Sequence, residues 1–178
     1  MIVISETGTV TLQLDTTMVQ NTNEFVTELR ATRSTEAAWN KRFVDGVETQ
    51  QDHLVRAYLA EQAVAEYVDF DYRLEISEEA RQRTDVDGIE VRAVRLLSHR
   101  LITQPHDKPA PYVLAVVDID VATVVLQGWL HLRHCNVAAH WETNVPKPAY
   151  FTPPTALHPM DTLREHYHNR KRRLSNGI

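Results

Sequence analysis

The sequence predicts a mixed α/β domain, a mixed sheet with helices packed on it. Three observations lead there. Two long stretches in the first seventy residues or so place apolar side chains at helical spacing, and several shorter stretches between residues 89 and 133 show the alternation or the continuous apolar run of strands. A further helical stretch follows a proline-rich connection near the end. Helices first, then a meander of strands, then a terminal helix is the order expected of a sheet with helices laid on it.

VTLQLD (10–15) alternates as a strand should, and Gly8 is placed to turn a hairpin with IVIS (2–5). From about Asn23 to Val44 the pattern is helical and charged, with Phe25, Leu29 and Trp39 as expected buried contacts, until Gly46 breaks it. A second helix is expected from about Gln50 to Val68, followed by the polar connection FDYRLEISEEARQRTD. IEVRAVR, HRLITQ (99–104), PYVLAVVDID (111–120) and ATVVLQGWLHLR (122–133) read as strands, with PHDKPAP a loop by its prolines. Val113 to Val117 is apolar throughout, as in a strand covered on both faces, and so belongs at the centre of the sheet. After WETNVPKPAYFTPPTALHP the last helix is expected to start near Met160 and to end in a basic run.

With 178 residues the chain is long enough for one domain with a real core, taken here as 1–178 with an N-terminal strand and helix extension and a basic C-terminal helix. A single cysteine, Cys135, rules out an internal disulfide framework and fits a reducing compartment; a soluble protein in the cytoplasm of a bacterium or phage-infected host is the expectation. No run approaches the roughly 20 apolar residues of a membrane-spanning helix, so no membrane partner is expected. A formal net charge of −5 argues against a general nucleic-acid coat, because phosphate binding rests on Lys and Arg. One compact basic run stands out, HNRKRRL (168–174). Arg170, Lys171, Arg172 and Arg173 read either as phosphate contacts or as a solvated helix end whose cations suit the helix dipole.

The chemistry concentrates in the second helix and in TDVDGIEVRAVR (84–95). Leu54, Ala57, Tyr58, Val64, Ala65 and Val68 form an apolar stripe in which Glu61 completes the spacing. Alternatively the buried stripe is Ala60, Ala63, Val64 and Tyr67, with Glu61 at its solvated edge. In the strand, alternation sends Ile89 and Val91 to one side and Glu90 and Arg92 to the other. Magnesium prefers oxygen ligands, and phosphodiester hydrolysis uses carboxylates from different elements with a cation beside the attacking water. Glu61, an aspartate of DVDG, Glu90 and Arg92 would supply that set, with the carbonyl of Val91 as a further ligand.

In these residues the chain resembles the PD-(D/E)XK nuclease superfamily, through AEQAVAEY, then TDVDG, then IEVR. The resemblance implies a restriction-endonuclease-like fold, a mixed central sheet flanked by helices. It implies metal-dependent hydrolysis of phosphodiester bonds in DNA, endo- or exonucleolytic, with Mg²⁺ or Mn²⁺ as cofactor; RNA is the alternative substrate, and the oligomeric state stays open, a homodimer included. Carried over residue by residue, Glu61 is the helix acid, Asp85 the metal-bridging acid with Asp87 as its rival, Glu90 the second ligand, and Arg92 stands where the family has lysine. The interval between Asp85 and Glu90 is shorter than the family's, and a tight turn at Asp87-Gly88 would accommodate it. YVLAVVDID, VVLQGWLHLR and AYFTPPTAL are also similar to small phage and actinobacterial proteins with an EVR strand, a GW strand and a YF segment. A second function class keeps the fold without catalysis, as a nucleic-acid-binding or virion-associated module.

Other constellations are weaker. His131, His134, Cys135 and His140 do not have the spacing of a closed zinc site. Trp129 is expected as a core or sheet-end aromatic, with Gly128 allowing a bulge. No glycine-rich phosphate loop or nucleophile elbow is present.

Overall fold

The computed structural model describes residues 1–32, 50–75 and 83–175; Trp39 and Gly46 lie outside them. Strand β1 (Ile2–Ile4) and strand β2 (Val10–Gln13) form the expected antiparallel hairpin, with Gly8 at φ 76° in its turn. Helix α1 (Thr16–Thr32) starts earlier than the periodicity suggested. Its signal is Asp15, whose carboxylate accepts the Thr17 N–H at 2.6 Å as an N-cap, a bond that holds the Asp15 carboxyl below its ordinary value.

Helix α2 (Gln50–Val68) packs on the sheet through Val55, Leu59, Ala60, Ala63 and Val64, all buried. The alanines let the helix approach closely, and truncating Leu59 there would cost about 2–5 kcal/mol. Helix α2 ends at Asp69, held at φ 59°, where Asp69 N–H bonds Glu66 O and Phe70 N–H bonds Ala65 O. This left-handed stop reverses the chain and sends Phe70 and Tyr72 back along the helix.

Among the described residues five strands make the main sheet, in the order β1-β2-β6-β5-β3, where β3 is Glu90–Val94, β5 is Pro111–Asp118 and β6 is Thr123–His131. Strand β6 is the middle one, and β5 is interior, between β6 and the edge strand β3 and covered on both faces as its apolar run requires. The strands do not form a simple meander, however. Strand β3 lies parallel to β5, and strand β4 (Leu101–Thr103) between them leaves to join a second sheet with β8 (Ala149–Thr152) and β7 (Trp141–Glu142). Parallel neighbours need a crossover, and residues 95–110 provide it.

Alternation along β5 assigns the layers. Val113, Ala115 and Val117 pack with α1, α2 and helix α4 (Met160–Ser175), while Tyr112 and Leu114 pack on the opposite face with Leu101, Leu130, Leu132 and Cys135. Leu132 and Cys135 belong to the short helix α3 (Leu132–Cys135). The register of β5 against β6 shifts between Leu114 and Ala115, leaving a bulge beside Gly128. A Cβ at Gly128 would sit 2.7 Å from the carbonyl oxygen of His158, so only glycine lets the chain before α4 lie this close. Trp129, next to it, is buried and donates its indole N–H to Thr162 at 2.9 Å, anchoring the first turn of α4.

Candidate functional site

The site forms where β3 begins, at the open edge of the main sheet. Val86 and Ile89 exchange both backbone hydrogen bonds, at 2.9 and 2.8 Å, around Asp87 and Gly88. Positive φ at both central residues, 36° and 92°, is the conformation for which Asp-Gly is favoured in a two-residue hairpin turn. The short interval between Asp85 and Glu90 is thus taken up by this turn. Val86 and Ile89 are buried and fix it to the core, which leaves Asp85 beside the start of β3.

Asp85 accepts the Val91 N–H at 2.7 Å. That N–H therefore points away from β5, and the carbonyl of an extended residue points to the same side as its N–H. Asp85 and the Val91 carbonyl consequently share the open edge. Burial, then the charge of Glu90, pushes the Asp85 carboxyl up to about 6, against the pull of the Val91 bond and of Arg92 and Lys108.

Glu90 is buried, on the sheet face opposite Val91. Its carboxylate lies 3.6 Å from Arg92 and 3.1 Å from the ammonium of Lys108. Glu90 Oε1, the oxygen that Lys108 faces, is buried and accepts no hydrogen bond among the described residues. Arg92 is held in turn by Asp107 at 3.1 Å and by the ring of Tyr112, 4.9 Å beneath its guanidinium. Asp107 also accepts the Gln104 N–H at 2.9 Å, which ties the crossover loop to the site.

Glu61 comes from the other side of the sheet. The buried stripe of α2 is the one through Ala60, Ala63, Val64 and Tyr67, which puts Glu61 at its edge. That edge is half-buried and not fully solvated, because Tyr72 folds over it and donates its hydroxyl to Glu61 at 2.5 Å. Burial, then Asp85, pushes the Glu61 carboxyl up to about 8; the Tyr72 bond works against this and Glu90 adds to it. Burial and the Glu61 charge likewise raise the Tyr72 phenol. The three acids therefore surround the edge of β3 from the helix side, the open side and the opposite face, near enough that Glu90 raises Asp85 and both raise Glu61. Among the described residues no three Asp, Glu, His or Cys side chains already converge as an ion cage.

Asp87 turns elsewhere. It accepts the Tyr167 hydroxyl at 2.9 Å, and Lys171 lies 2.6 Å from the same oxygen. Burial alone would raise the Asp87 carboxyl, but these partners outweigh it and hold it below the ordinary value. Arg170 donates to the Asp87 carbonyl at 3.0 Å. Two cations of the basic run thus face the turn, while Arg172 and Arg173 are exposed at the end of α4.

Sequence reading missed Lys108, Asp107 and Tyr72. Lys108 and Asp107 sit in a proline-bounded loop whose neighbour is fixed only by the parallel pairing of β3 with β5; Tyr72 depends on the left-handed stop at Asp69. The histidines near Cys135 serve local structure. His140 Nδ1 lies 3.0 Å from the Cys135 carbonyl oxygen, and burial pushes the Cys135 thiol up to about 11, away from a metal-binding thiolate at neutral pH. No helix among the described residues is long and apolar enough to cross a membrane. Comparison with protein-family models, curated proteins and solved structures finds no match to this chain.

Proposed function

We propose that this chain is a metal-dependent nuclease of restriction-endonuclease-like fold that hydrolyses phosphodiester bonds in DNA. The observation that carries the reading is the grouping of Glu61, Asp85 and Glu90 around one strand edge, where burial and mutual repulsion push Glu61 and Asp85 upward and two cations stand beside Glu90. The donors suit Mg²⁺ or Mn²⁺. They are all oxygen, Glu90 Oε1 accepts no hydrogen bond among the described residues, and a dication relieves the repulsion that raises Glu61 and Asp85. Asp85 and Glu90 would hold the ion with the Val91 carbonyl, and Glu61 would complete its shell or orient water. Bound there, the ion supplies a Lewis acid and lowers the pKa of the attacking water.

The chain's own residues do the rest. Arg92, fixed by Asp107 and Tyr112, presents a permanent cation to the charge that builds on the phosphoryl oxygens. It cannot readily give up a proton, so its part is electrostatic. Lys108 adds a second cation on the other oxygen of Glu90 and is exposed enough to meet a phosphate. Cleavage of single- and double-stranded DNA with Mg²⁺ or Mn²⁺, and calorimetry with each ion, test the reading; a folded protein that cuts nothing and binds neither ion overturns it.

A second reading has its own support. Lys108 and Arg92 already compensate Glu90, and the acids do not converge on one point. Both features suit a nuclease-like fold that has become a nucleic-acid-binding or virion-associated module. Nucleic-acid binding without ion binding is its signature.

A further inference from the structure

The basic run at the end of α4 divides into two parts. Tyr167, Arg170 and Lys171 are spaced three and four residues apart, so they share a helix face, and all three reach the Asp87-Gly88 turn. The Tyr167 hydroxyl and the Lys171 ammonium meet one carboxylate oxygen of Asp87, at 2.9 and 2.6 Å, and Arg170 meets the backbone carbonyl of the same residue at 3.0 Å. Lys171 also lies over the rings of Phe70 and Tyr167, at 5.7 and 5.6 Å. Fit at the turn is close enough that a Cβ on Gly88 would stand 1.8 Å from an Arg170 guanidinium nitrogen.

This attention to the turn has a use. Asp85, one residue before the hairpin's first ladder position, has among the described residues one hydrogen bond, from Val91, and faces the charge of Glu90. A carboxylate held by one bond against a like charge swings away unless the backbone beneath it is fixed. Helix α4 is itself anchored independently of the turn, through buried Met160 and Leu163 and through the Trp129 indole at its start. It can therefore act as a fixed post.

We infer that Tyr167, Arg170 and Lys171 are positioning residues that clamp the Asp87-Gly88 turn and so hold Asp85 at the open edge of β3, where it shares an ion with Glu90 and Glu61. The inference rests on the metal-site reading above. It separates Lys171 and Arg170, which face the turn, from Arg172 and Arg173, which remain for solvent or phosphate.

The experiment uses the full chain as wild type, Lys171→Met, Tyr167→Phe and the conservative Lys171→Arg. Amide hydrogen exchange is followed in the segment 85–91 and, as a control for the fold, in 112–117 of β5, and Mn²⁺ affinity is measured by calorimetry. Lys171→Met and Tyr167→Phe are expected to speed exchange in 85–91 alone and to weaken Mn²⁺ by about tenfold to a hundredfold, as supporting groups behind metal ligands do. Lys171→Arg is expected to restore both. Equal acceleration in β5 would mean general destabilisation and would overturn the clamp, as would Mn²⁺ affinity and exchange unchanged from wild type. A wild type that binds no Mn²⁺ removes the metal-site reading and this inference with it; a wild type that binds Mn²⁺ as tightly as all three variants removes the clamp alone.

Discussion

The ammonium of Lys108 stands 3.1 Å from the carboxylate of Glu90, joining the loop that feeds β5 to the first residue of its parallel neighbour β3. Lys108 is half exposed, and Arg92 stays beside Glu90 when Lys108 is removed, so the loss of stability is expected to be small. If it serves a phosphate, its removal should be felt far more in turnover. Lys108→Met is expected to lower the rate of Mn²⁺-dependent cleavage by about a hundredfold, a loss typical of one deleted transition-state donor, with the melting temperature little changed. Equal rates for the variant and wild type would confine Lys108 to charge compensation.

Glu90→Gln keeps the side chain's shape and removes its charge. Cleavage should disappear while circular dichroism and melting show an intact fold. Arg92→Lys should retain or raise activity, since lysine keeps the cation on the same strand face. Failure of wild type and of Arg92→Lys on every DNA substrate would favour the binding module.

The acids make stability fall as pH rises. Unfolded, Glu61 and Asp85 titrate near their ordinary values; folded, they keep protons until about 8 and about 6. Between roughly pH 4 and 8 the folded state binds more protons than the unfolded one, so raising the pH withdraws stability, about 1.4 kcal/mol for each unit by which a pKa is raised. Melting without divalent ions should therefore be several degrees lower at pH 8 than at pH 5. Mg²⁺ or Mn²⁺ should reverse the trend, stabilising more at pH 8 because the ion needs the ionised acids. A flat melting profile in Glu61→Gln,Asp85→Asn would locate the effect in this pair, and an equally flat wild type would contradict it.

Arg172 and Arg173 are the cations left facing outward at the end of α4. Changing both to glutamine should weaken DNA binding and reduce the slope of log affinity against log salt by about one per lost phosphate contact, with Mn²⁺ affinity unaltered. An unchanged slope assigns them to the solvated helix end.

Much of this was legible in the sequence for local reasons. Hairpin β1–β2, the interior place of β5, the Asp87-Gly88 turn and the start of α4 each follow from alternation, apolar runs or turn residues close together in the chain. The early start of α1 was hidden by Thr16, Thr17, Asn21, Thr22 and Asn23, which compete with helix through their own side-chain bonds, although Asp15 marks the cap. At Glu61 the period alone could not choose between two stripes, and neither stripe foresaw a half-covered edge. That edge depends on Tyr72, just as the cation on Glu90 depends on Lys108. Both are tertiary effects of chain reversals or crossovers, which a local pattern does not encode.

The parallel pairing of β3 with β5 also sets an order of assembly. Strands β1 and β2, and likewise β5 and β6, are antiparallel neighbours in sequence and can zip from short connections. Strand β3 has no such shortcut. It docks only after the segment 95–110 has crossed the sheet and β5 exists to receive it, and pairings of that kind come late because loop closure precedes their reward. The acid cluster is therefore expected to assemble after the β5–β6 hairpin that receives β3, and its repulsion does not burden that hairpin. Pulse-labelled exchange during refolding should show β5 and β6 protected before 85–94, and mutations at the acids should change the unfolding rate while leaving the folding rate nearly untouched.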